Sequence, residues 1–385
     1  MPRVPDRIDL VRWALALALG CWTSLAAALD VTDLAGRQVT VPDRIERIVL
    51  GESRYIPALA ILEGERVMSR IVGMLPDFEL TDPAAYQQYR RRFPALAEIP
   101  VIGHASADSF SLESVIGLQA DVAIFSLEGH GPGAHNRQLI ERLEAAGVAV
   151  VFVDFRQQPL RNTPRSMTLL GELLGREARA AEYNRFWREA LAAVTGPLAE
   201  VPASARPRVF LHSRVGLLDN CCETMADGMI GHLLEAAGGR NVAAGVVPGV
   251  AGILNPEYLL THQPDVYLAT AIGTPDRRTR SGAAFPYVTL GTGVSEAVAR
   301  QSLGAATRQP AIAELTAVRE GRAYAVWHHF YNTPLNVVAV QAMARWFHPR
   351  RFAGLDPHAT LARLYERFQP VALDGTFWIA LDGTP

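Results

Sequence analysis

Short apolar runs alternate with amphipathic stretches along most of the chain. Residues 45–50, 122–125, 148–153 and 208–211 have the apolar composition of buried strands, and stretches with helical spacing follow them. Strands that alternate with helices favour a mainly parallel sheet. The alternation runs to residue 153 and restarts at residue 208. The sequence therefore predicts an α/β protein with two Rossmann-like lobes.

A single long helix is predicted between these lobes. Residues 176–195 place Tyr183, Trp187 and further apolar side chains on one stripe, and Gly196-Pro197 predicts the end of the helix. Twenty helical residues span about 30 Å, the width of a small domain. We expect this helix to bridge the lobes.

The helix before the bridge has its own start and stop signals. Thr163 is a suitable cap, Pro164 suits the first helical position and Gly175 suits a left-handed terminus. The predicted boundaries are a leader at residues 1–28, an N-terminal lobe at 29–175, the bridging helix at 176–200 and a C-terminal lobe at 201–385.

The leader has the order of a secretory signal peptide. Arginines precede an apolar run at residues 13–22, and Ala26-Ala27-Ala28 fits a cleavage site. The run is short for a membrane span. Cys21 follows Leu-Ala-Leu-Gly, an imperfect lipoprotein context, so lipid anchoring is a second possibility. The sequence favours an exported, periplasmic protein cleaved near Ala28.

Composition and cysteine usage narrow the class of protein. A chain of 385 residues that is 49% hydrophobic can bury more than one core, and a formal charge of -2 argues against a nucleic-acid binder. Beyond the leader only Cys221 and Cys222 remain. Adjacent cysteines cannot join distant segments, so they either form a small ring or stay as thiols.

One stretch of the first lobe has an echo in the second. Glu113 starts a helix and Asp121 follows eight residues later at the start of a strand; Glu257 and Asp265 repeat this spacing. A carboxylate suits the first turn of a helix. A single Glu–Asp pair with this spacing is common where a helix is followed by a strand. Two such pairs, one on each side of a long helix, indicate that the lobes are related.

Several stretches, in this order, carry a resemblance to a known family. They are DLAGRQVTVPDRIERIVL, SLESVIGLQADVAIF, LGELLGREARAAEY, HLLEAAGGRNVA, LNPEYLLTHQPDVYLA and GRAYAVWHHFYNTPLNVVAVQAMARWFHP. The chain resembles the periplasmic substrate-binding proteins of ABC importers for iron complexes, the group that handles ferric siderophores, haem and cobalamin.

The resemblance implies capture rather than catalysis. It implies a monomer that closes slightly around an iron chelate, a ferric siderophore first and haem or cobalamin second, and that presents it to a permease with its ATPase. No permanently bound cofactor is expected. The positions that match the family's permease-docking acids are Glu113 and Glu257, one on each lobe.

Ligand contacts are expected in loops at the carboxyl ends of strands. Arg54 and Tyr55 follow the strand at 45–50, where a cation suits an anionic ligand and Tyr offers a ring and a phenol. The alternative is a solvated Arg54 and a Tyr55 that packs into the following helix. In the second lobe, Arg214 is a further candidate anion contact.

A second candidate cluster follows the strand at 323–326. Trp327, His328 and Tyr331 combine aromatic and imidazole side chains that suit a large, flat ligand. Some side chains of this segment, above all Phe330, are expected to pack in the hydrophobic core.

Other classes of site have weaker support. His104, His130 and His135 lie in first-lobe loops without the close spacing of metal ligands. Residues 51–55 lack the last glycine of a nucleophile elbow, and the chain has no phosphate-binding P-loop motif. An exported α/β enzyme is therefore the disfavoured alternative.

Overall fold

The computed structural model describes residues 28–104, 106–217, 221–272 and 287–383. The predicted signal peptide and Cys21 lie outside the described residues, apart from Ala28, which begins strand β1 (Ala28–Thr32). β1 pairs antiparallel with β2 (Gln38–Pro42). Val39 and Val41 of β2 are buried and their neighbours are exposed, the alternation of a strand pair with one face on a core.

The first sheet is entirely parallel. Its order is β4–β3–β5–β6, with β3 (Ile48–Leu50), β4 (Ile71–Met74), β5 (Val122–Ser126) and β6 (Ala149–Val153). Buried residues fill β3 and β5 completely, as expected where helices cover both faces of a parallel sheet. The helices of this region are α1 (Ile56–Glu63), α2 (Asp77–Thr81), α3 (Pro83–Arg92), α4 (Leu112–Gly117) and α5 (Arg137–Ala145).

The next helix, α6 (Pro159–Leu174), begins earlier than predicted. Pro159 takes the first position, so the predicted start at Thr163 and Pro164 is wrong, and Pro164 lies inside the helix. Thr163 is fully buried and its hydroxyl serves tertiary packing instead of a cap. The predicted end is confirmed, because Gly175 caps α6 in the left-handed region with φ 63°.

The bridging helix is α7 (Glu177–Leu198), with 22 residues. It passes through Gly196 and Pro197 and ends at Leu198. The prediction that this pair ends the helix is therefore wrong, and the helix runs three residues beyond the predicted residue 195. Proline lacks a backbone N–H, so Pro197 removes one hydrogen bond. Because Pro197 lies in the last turn, the rest of the helix is unaffected.

The second sheet has the order β13–β12–β11–β7–β9 and is parallel except for β13. Its strands are β7 (Arg208–His212), β9 (Arg240–Asn241), β11 (Val266–Ala271), β12 (Ala323–Trp327) and β13 (Trp378–Ala380). A separate antiparallel pair joins β8 (Glu223–Met225) to β10 (Ala251–Ile253). The helices are α8 (Ile230–Ala236), α9 (Pro256–Thr261), α10 (Glu296–Ala306), α11 (Thr316–Arg319), α12 (Asn336–Phe347) and α13 (Pro357–Phe368).

The predicted fold class is thereby confirmed: two mainly parallel sheets flank one long helix. The domain boundaries at residues 175 and 200 stay predictions. Cys221 and Cys222 form a disulfide with each other, which is the ring alternative considered from the sequence.

One buried side chain ties the bridging helix to both halves of the molecule. Asn336, the first residue of α12, accepts a hydrogen bond at Oδ1 from Trp187 Nε1 of α7 over 2.9 Å. Its Nδ2 donates to Thr163 Oγ1 of α6 over 2.8 Å. All three residues are buried, so each polar atom depends on this partner for the hydrogen bond it would otherwise make to water.

We expect Asn336→Leu to lower the free energy of unfolding by about 2–4 kcal/mol, because it leaves the buried Trp187 Nε1 donor and the buried Thr163 Oγ1 acceptor without this partner. Thr163→Val, which removes only one of the two bonds, is expected to cost less. Urea unfolding followed by tryptophan fluorescence measures both effects. Gln301→Leu, the same kind of change at an exposed position of α10, is the control, and a loss in Asn336→Leu no larger than in this control would contradict the role of Asn336.

Candidate ligand site between the lobes

The loops that leave the carboxyl ends of the two sheets meet each other. In the first sheet β3 lies between β4 and β5. The chain therefore continues toward one edge of the sheet after β3 and toward the other edge after β5. Open α/β sheets bind ligands at the carboxyl ends of two such strands. A short 3-10 turn, Ser53–Tyr55, follows β3, and a second one, His328–Asn332, follows β12 of the other sheet.

Arg54 is the centre of the contact. Its Nη2 donates to Glu52 Oε1 and its Nε lies 3.3 Å from Asp77 Oδ2. Its Nη1 donates to Tyr331 Oη of the opposite lobe over 3.1 Å. Burial lowers the pKa of Arg54, but Glu52, Tyr331 and Asp77 outweigh it and hold that pKa well above its ordinary value, so the guanidinium is charged.

Asp77 also fixes the backbone of this turn. Its Oδ1 accepts hydrogen bonds from the Ser53 N–H over 2.8 Å and from Ser53 Oγ over 2.9 Å. Because Asp77 begins α2, the turn after β3 is anchored to the helix that follows β4. Arg54 is thus held by its own lobe before it reaches the other.

Further polar contacts cross between the lobes beside Arg54. Asn332 Nδ2 donates to Glu52 Oε1, and His329 Nε2 lies 3.0 Å from the carbonyl oxygen of Thr81. Glu52 Oε2 and Asn332 Oδ1 are shielded from solvent and have no hydrogen-bond partner among the described residues. The lobes therefore touch through a polar junction that is only partly satisfied.

Gly131 allows the loop after β5 to come close to this junction. A Cβ at Gly131 would lie 2.1 Å from the carbonyl oxygen of Gly51, and a Cβ at Gly129 would lie 2.5 Å from Glu52 Oε2. Real Cβ atoms do not approach backbone oxygen so closely. Glycine is therefore required at these two positions, because any side chain would clash with the loop after β3.

A small cavity opens next to Arg54 between the two lobes. Asp82, Tyr89 and other residues of α2 and α3 line one side, and Trp327 and Phe377 line the other. It leaves about 40 Å³ for the centres of water molecules, enough for roughly three waters. A larger ligand would fit here only if the lobes moved apart.

The predicted residues after β12 have different positions. Trp327 lines the cavity, with its ring edge-on to Phe377 at 5.3 Å between centroids. Tyr331 is buried between the lobes beside Arg54. His328 is buried too, with Nδ1 2.9 Å from Thr270 Oγ1. Burial, reinforced by His329 and Arg214, lowers the pKa of His328 well below its ordinary value, so its imidazole is neutral.

The remaining two candidates, Tyr55 and Arg214, are not among the residues that line the cavity. Tyr55 is 1% exposed and its ring packs against Phe155, 5.5 Å between centroids. Phe155 lies after β6, whereas the packing alternative placed the ring against the following helix α1. The Arg214 side chain is partly exposed and pairs with Glu223, Nε to Oε2 over 3.1 Å. Its backbone N–H donates to Thr270 Oγ1.

Arg156, in the loop after β6, is a residue of this junction that the sequence analysis missed. Its guanidinium carbon lies 5.2 Å from the centre of the Tyr331 ring. The guanidinium carbon of Arg54 lies 5.8 Å from the centre of the same ring. The available signal was its position, because an arginine at the carboxyl end of a parallel strand faces the same space as Arg54. Glu52, Asp77 and Asn332 were missed as well.

Several cations act on the space between the lobes. Burial lowers the pKa of His130, in the loop after β5, to about 4, and the guanidinium groups of Arg54, Arg156 and Arg214 act in the same direction while Glu52 opposes them. Arg214 belongs to the second lobe and the others to the first. Positive charge from both lobes therefore converges here.

The echoed residues occupy equivalent places in the two lobes. Asp121 N–H donates to the Arg47 carbonyl and its Oδ2 accepts from the Arg47 N–H; Asp265 makes the same pair of bonds with Arg208. Each aspartate thus joins the start of its strand to the start of the neighbouring strand. The internal echo is a shared structural device.

The two glutamates of the echo are exposed on short helices. Glu113 lies in the first turn of α4, which Ser111 caps, and Glu257 in the first turn of α9, which Asn255 caps. Three residues after each glutamate an apolar side chain is exposed, Ile116 at 41% and Leu260 at 39%. Both helices therefore present an acid beside an aliphatic group.

Comparison with known families decides what kind of protein has this architecture. The profile of the family described as periplasmic binding protein matches residues 69–326. The chain belongs to this family. The resemblance drawn from the sequence is confirmed, and membership implies a location outside the cytoplasm.

Individual relatives of this periplasmic binding protein differ in their ligands. Two cobalamin-binding proteins from strains of Halobacterium salinarum are 27% identical over 180 residues, 46% of this chain and 45% of theirs. The match thus spans about half the length of these curated relatives.

Solved structures share the fold. The TroA-like periplasmic binding protein FepB from Veillonella parvula has a TM-score of 0.80 at 23% identity, over 92% of this chain and 99% of that one. The Haemophilus influenzae molybdate-binding protein MolA, bound to molybdate, has a TM-score of 0.66 at 17% identity, over 90% and 99%. A periplasmic heme binding protein from Pseudomonas aeruginosa has a TM-score of 0.51 at 20% identity, over 80% and 94%.

The described residues of this periplasmic binding protein contain neither a group of metal-ligating side chains nor a membrane-spanning helix. No three His, Cys, Asp or Glu side chains within them are grouped so that they could hold a metal ion. No helix within them has the length and apolar character needed to cross a membrane.

Asp82 predicts a pH dependence of stability. Burial raises its pKa from 3.8 to about 6, so the folded state binds this proton more tightly than the unfolded chain does. The Asp82 contribution to the free energy of unfolding therefore falls as pH rises from about 4 to 6 and remains low above that. Asp82→Asn should raise stability at pH 7 by up to about 3 kcal/mol and leave it unchanged near pH 3.

The amide can keep the cap that Asp82 makes to the Ala85 N–H of α3. Asp356→Asn changes an exposed cap of α13 in the same way and is the control. Unfolding curves between pH 3 and 8 give the difference between variant and parent, which cancels the opposite effect of the buried His130 and His212. A difference that does not vary with pH would contradict the prediction.

Proposed function

We propose that this periplasmic binding protein captures an iron chelate between its lobes and delivers it to the permease of an ABC importer. The observation that carries the proposal is the junction of the two carboxyl-end loops, where Arg54 of one lobe meets Tyr331 of the other beside the Trp327 cavity. Ligand that enters between these loops contacts both lobes at once and can stabilise a closed form.

The side chains of the junction favour an anionic, partly aromatic ligand. Arg54, Arg156 and Arg214 supply positive charge, and Trp327 and Tyr331 supply rings. A ferric siderophore with carboxylate or catecholate groups combines both features. In this proposal the iron arrives and leaves in an intact complex, and no permanently bound cofactor is expected.

The second candidate ligand is a corrinoid or haem. It is favoured by the 180-residue match to proteins named for cobalamin binding and by the aromatic rings, which suit a flat macrocycle. An exported enzyme has no support from the residues at the junction, where Arg54 is committed to Glu52 and Asp77 and His328 to Thr270.

The proposal includes the location and the partners of the protein. Residues 1–28 would direct export and be removed near Ala28, with lipidation at Cys21 as the alternative. The exported protein would act as a monomer and would work with an ABC permease and its ATPase. Arg54, Tyr55, Arg214, Trp327, His328 and Tyr331 remain the proposed ligand residues, with Tyr55 and His328 acting from behind the cavity wall.

Docking to the permease is proposed through Glu113 and Glu257. Each acid is exposed at an equivalent place of its lobe, and each has an exposed aliphatic neighbour, Ile116 or Leu260. A partner with a basic group beside an apolar one on each of its halves would complement this surface. A permease built from two similar halves has that symmetry.

Titration of tryptophan fluorescence tests capture. We expect saturable quenching by one member of a panel of a ferric tricarboxylate, a ferric trihydroxamate, a ferric catecholate, haemin and cyanocobalamin, because Trp327 lines the cavity. Trp327→Phe should reduce the amplitude for that ligand, and Trp346→Phe, on α12, is the control. A protein that binds no member of the panel would refute the proposed function.

Charge reversal tests docking. Glu113→Arg combined with Glu257→Arg should abolish uptake by cells that express the cognate importer and change ligand affinity by less than about twofold, since surface charges far from a site are screened. Glu141→Arg with Glu235→Arg, which makes the same charge change at exposed positions of α5 and α8, should leave uptake intact. Loss of ligand affinity in the first pair would show that these acids serve the cleft instead.

A further inference from the structure

The disulfide between Cys221 and Cys222 closes a ring across a single peptide bond. A disulfide stabilises a fold mainly by closing a long loop in the unfolded chain, and adjacent residues close almost none. The effect of this disulfide is therefore local, on the backbone that the two cysteines share. That backbone leads directly into β8, whose first residue is Glu223.

The ring lies where the backbone has an unfavourable conformation. Cys222 has φ 91°, in the region of positive φ that residues other than glycine rarely adopt and that persists only where the surroundings impose it. Opening the ring removes the covalent restraint on Cys222, and its backbone can then turn to the negative φ that a cysteine prefers. The disulfide thus holds the residue before β8 in a conformation that an open chain would leave.

The segment that follows the ring is attached on three sides. The Cys222 carbonyl oxygen accepts a hydrogen bond from the Leu254 N–H over 2.9 Å, and the Glu223 carbonyl oxygen accepts one from the Ser213 N–H over 2.7 Å. The Glu223 carboxylate pairs with the Arg214 guanidinium, Nε to Oε2 over 3.1 Å. A change of φ at Cys222 swings the groups that follow it, so all three contacts depend on the closed ring.

These contacts lead on to the lobe junction. The Arg214 N–H donates to Thr270 Oγ1 over 2.8 Å, and that oxygen lies 2.9 Å from His328 Nδ1. His328 begins the 3-10 turn that brings Tyr331 to Arg54. A continuous set of hydrogen bonds therefore joins the start of β8 to the contact between the lobes.

We propose that the Cys221–Cys222 pair is a redox-sensitive switch. The closed ring holds the start of β8 and, through Glu223, the position of Arg214, and reduction to two thiols by a dithiol reductant releases both and weakens binding at the lobe junction. Disulfides persist in the oxidising environment outside the cytoplasm, so the ring is the resting form. Only the effect on binding rests on the proposed function; the change of structure does not.

Reduction proceeds by two thiol–disulfide exchanges. Cys221 is partly exposed and Cys222 is fully buried, so a thiolate of the dithiol attacks the Cys221 sulfur. The bond between the cysteine sulfurs breaks, a mixed disulfide forms at Cys221, and Cys222 leaves as a thiolate that takes up a proton. The second thiol of the dithiol then attacks its own sulfur in the mixed disulfide and releases Cys221. The dithiol loses two electrons and two protons, and the cysteine pair gains them.

Hydrogen–deuterium exchange before and after treatment with dithiothreitol tests the switch without a ligand. Peptides that contain the Ser213 and Leu254 amides should exchange about 5- to 30-fold faster after reduction, the range that corresponds to the cost of a left-handed residue that no ring imposes. Peptides of β5 and β6 in the first lobe are the internal control and should not change. Alkylation and mass spectrometry of the peptide with residues 221 and 222 measure the extent of reduction.

Three results of this experiment would overturn the inference. The first is unchanged exchange after complete reduction. The second is equal acceleration in both lobes, which would make the ring a general stabiliser of the fold. The third is a ring that dithiothreitol opens only when urea unfolds the protein.

Two double variants separate the backbone conformation from the sulfur atoms. Glycine adopts positive φ without steric cost, so Cys221→Ser with Cys222→Gly should keep the slow exchange of the oxidised parent. Cys221→Ser with Cys222→Ala lacks both the ring and this freedom, and it should exchange like the reduced parent. Neither variant should respond to dithiothreitol. Equal exchange in the two variants would contradict the role assigned to Cys222.

Ligand binding gives the functional readout. From the panel of ferric chelates, haemin and cyanocobalamin, the member that the oxidised parent binds should bind the reduced parent more weakly by a similar factor, because apparent affinity follows the fraction of competent molecules. The reductant is removed before the titration, and the glycine variant, treated in the same way, is the control. Equal affinity of both forms would overturn the effect on binding. If the oxidised parent binds no member, the proposed function fails, and hydrogen exchange still decides whether the ring is a switch.

Discussion

The ion cluster of Glu52, Arg54 and Asp77 is the interaction on which the geometry of the site depends. Two buried carboxylates hold one buried guanidinium, and removal of one partner from such a cluster typically costs about 3–5 kcal/mol because a charge is left uncompensated. The cluster fixes the turn after β3 against α2 and directs Arg54 toward Tyr331. The first lobe therefore presents a rigid cation at the place where the second lobe presents its ring.

Much of the fold was predictable because it depends on local patterns. The apolar runs at β5, β6, β7 and β12 and the stripe of Tyr183 and Trp187 on α7 follow directly from burial on two-sided sheets and one-sided helices. The start of α6 was not predictable in this way. Thr163 and Pro164 carry all the local signals of a helix start, but Thr163 is used by Asn336, a residue far along the chain, and Pro159 takes the first position instead.

The site was predictable only in outline. The rule that ligands bind at the carboxyl ends of strands located the loops of Arg54 and Tyr331. It did not reveal which side chains are already paired within their own lobe. Arg54 pairs with Asp77, for example, and Asp77 follows a different strand, β4. Tyr55 illustrates the same limit, since its ring turns into the core next to Phe155 while its neighbour points at the other lobe. Arg156 stood out only through its contact with the Tyr331 ring of the other lobe.

The contacts between Arg54 and Tyr331 and between Glu52 and Asn332 also compete with any ligand. They join the lobes while leaving about 40 Å³ beside them, so a ligand larger than a few water molecules would fit only those molecules in which the contacts are broken. Its apparent affinity is then the intrinsic affinity multiplied by the fraction of open molecules. A junction with unsatisfied oxygens on Glu52 and Asn332 is weaker than a fully paired one, and it keeps that fraction larger. Incomplete pairing between the lobes would therefore lower the ligand concentration needed to fill the proposed site.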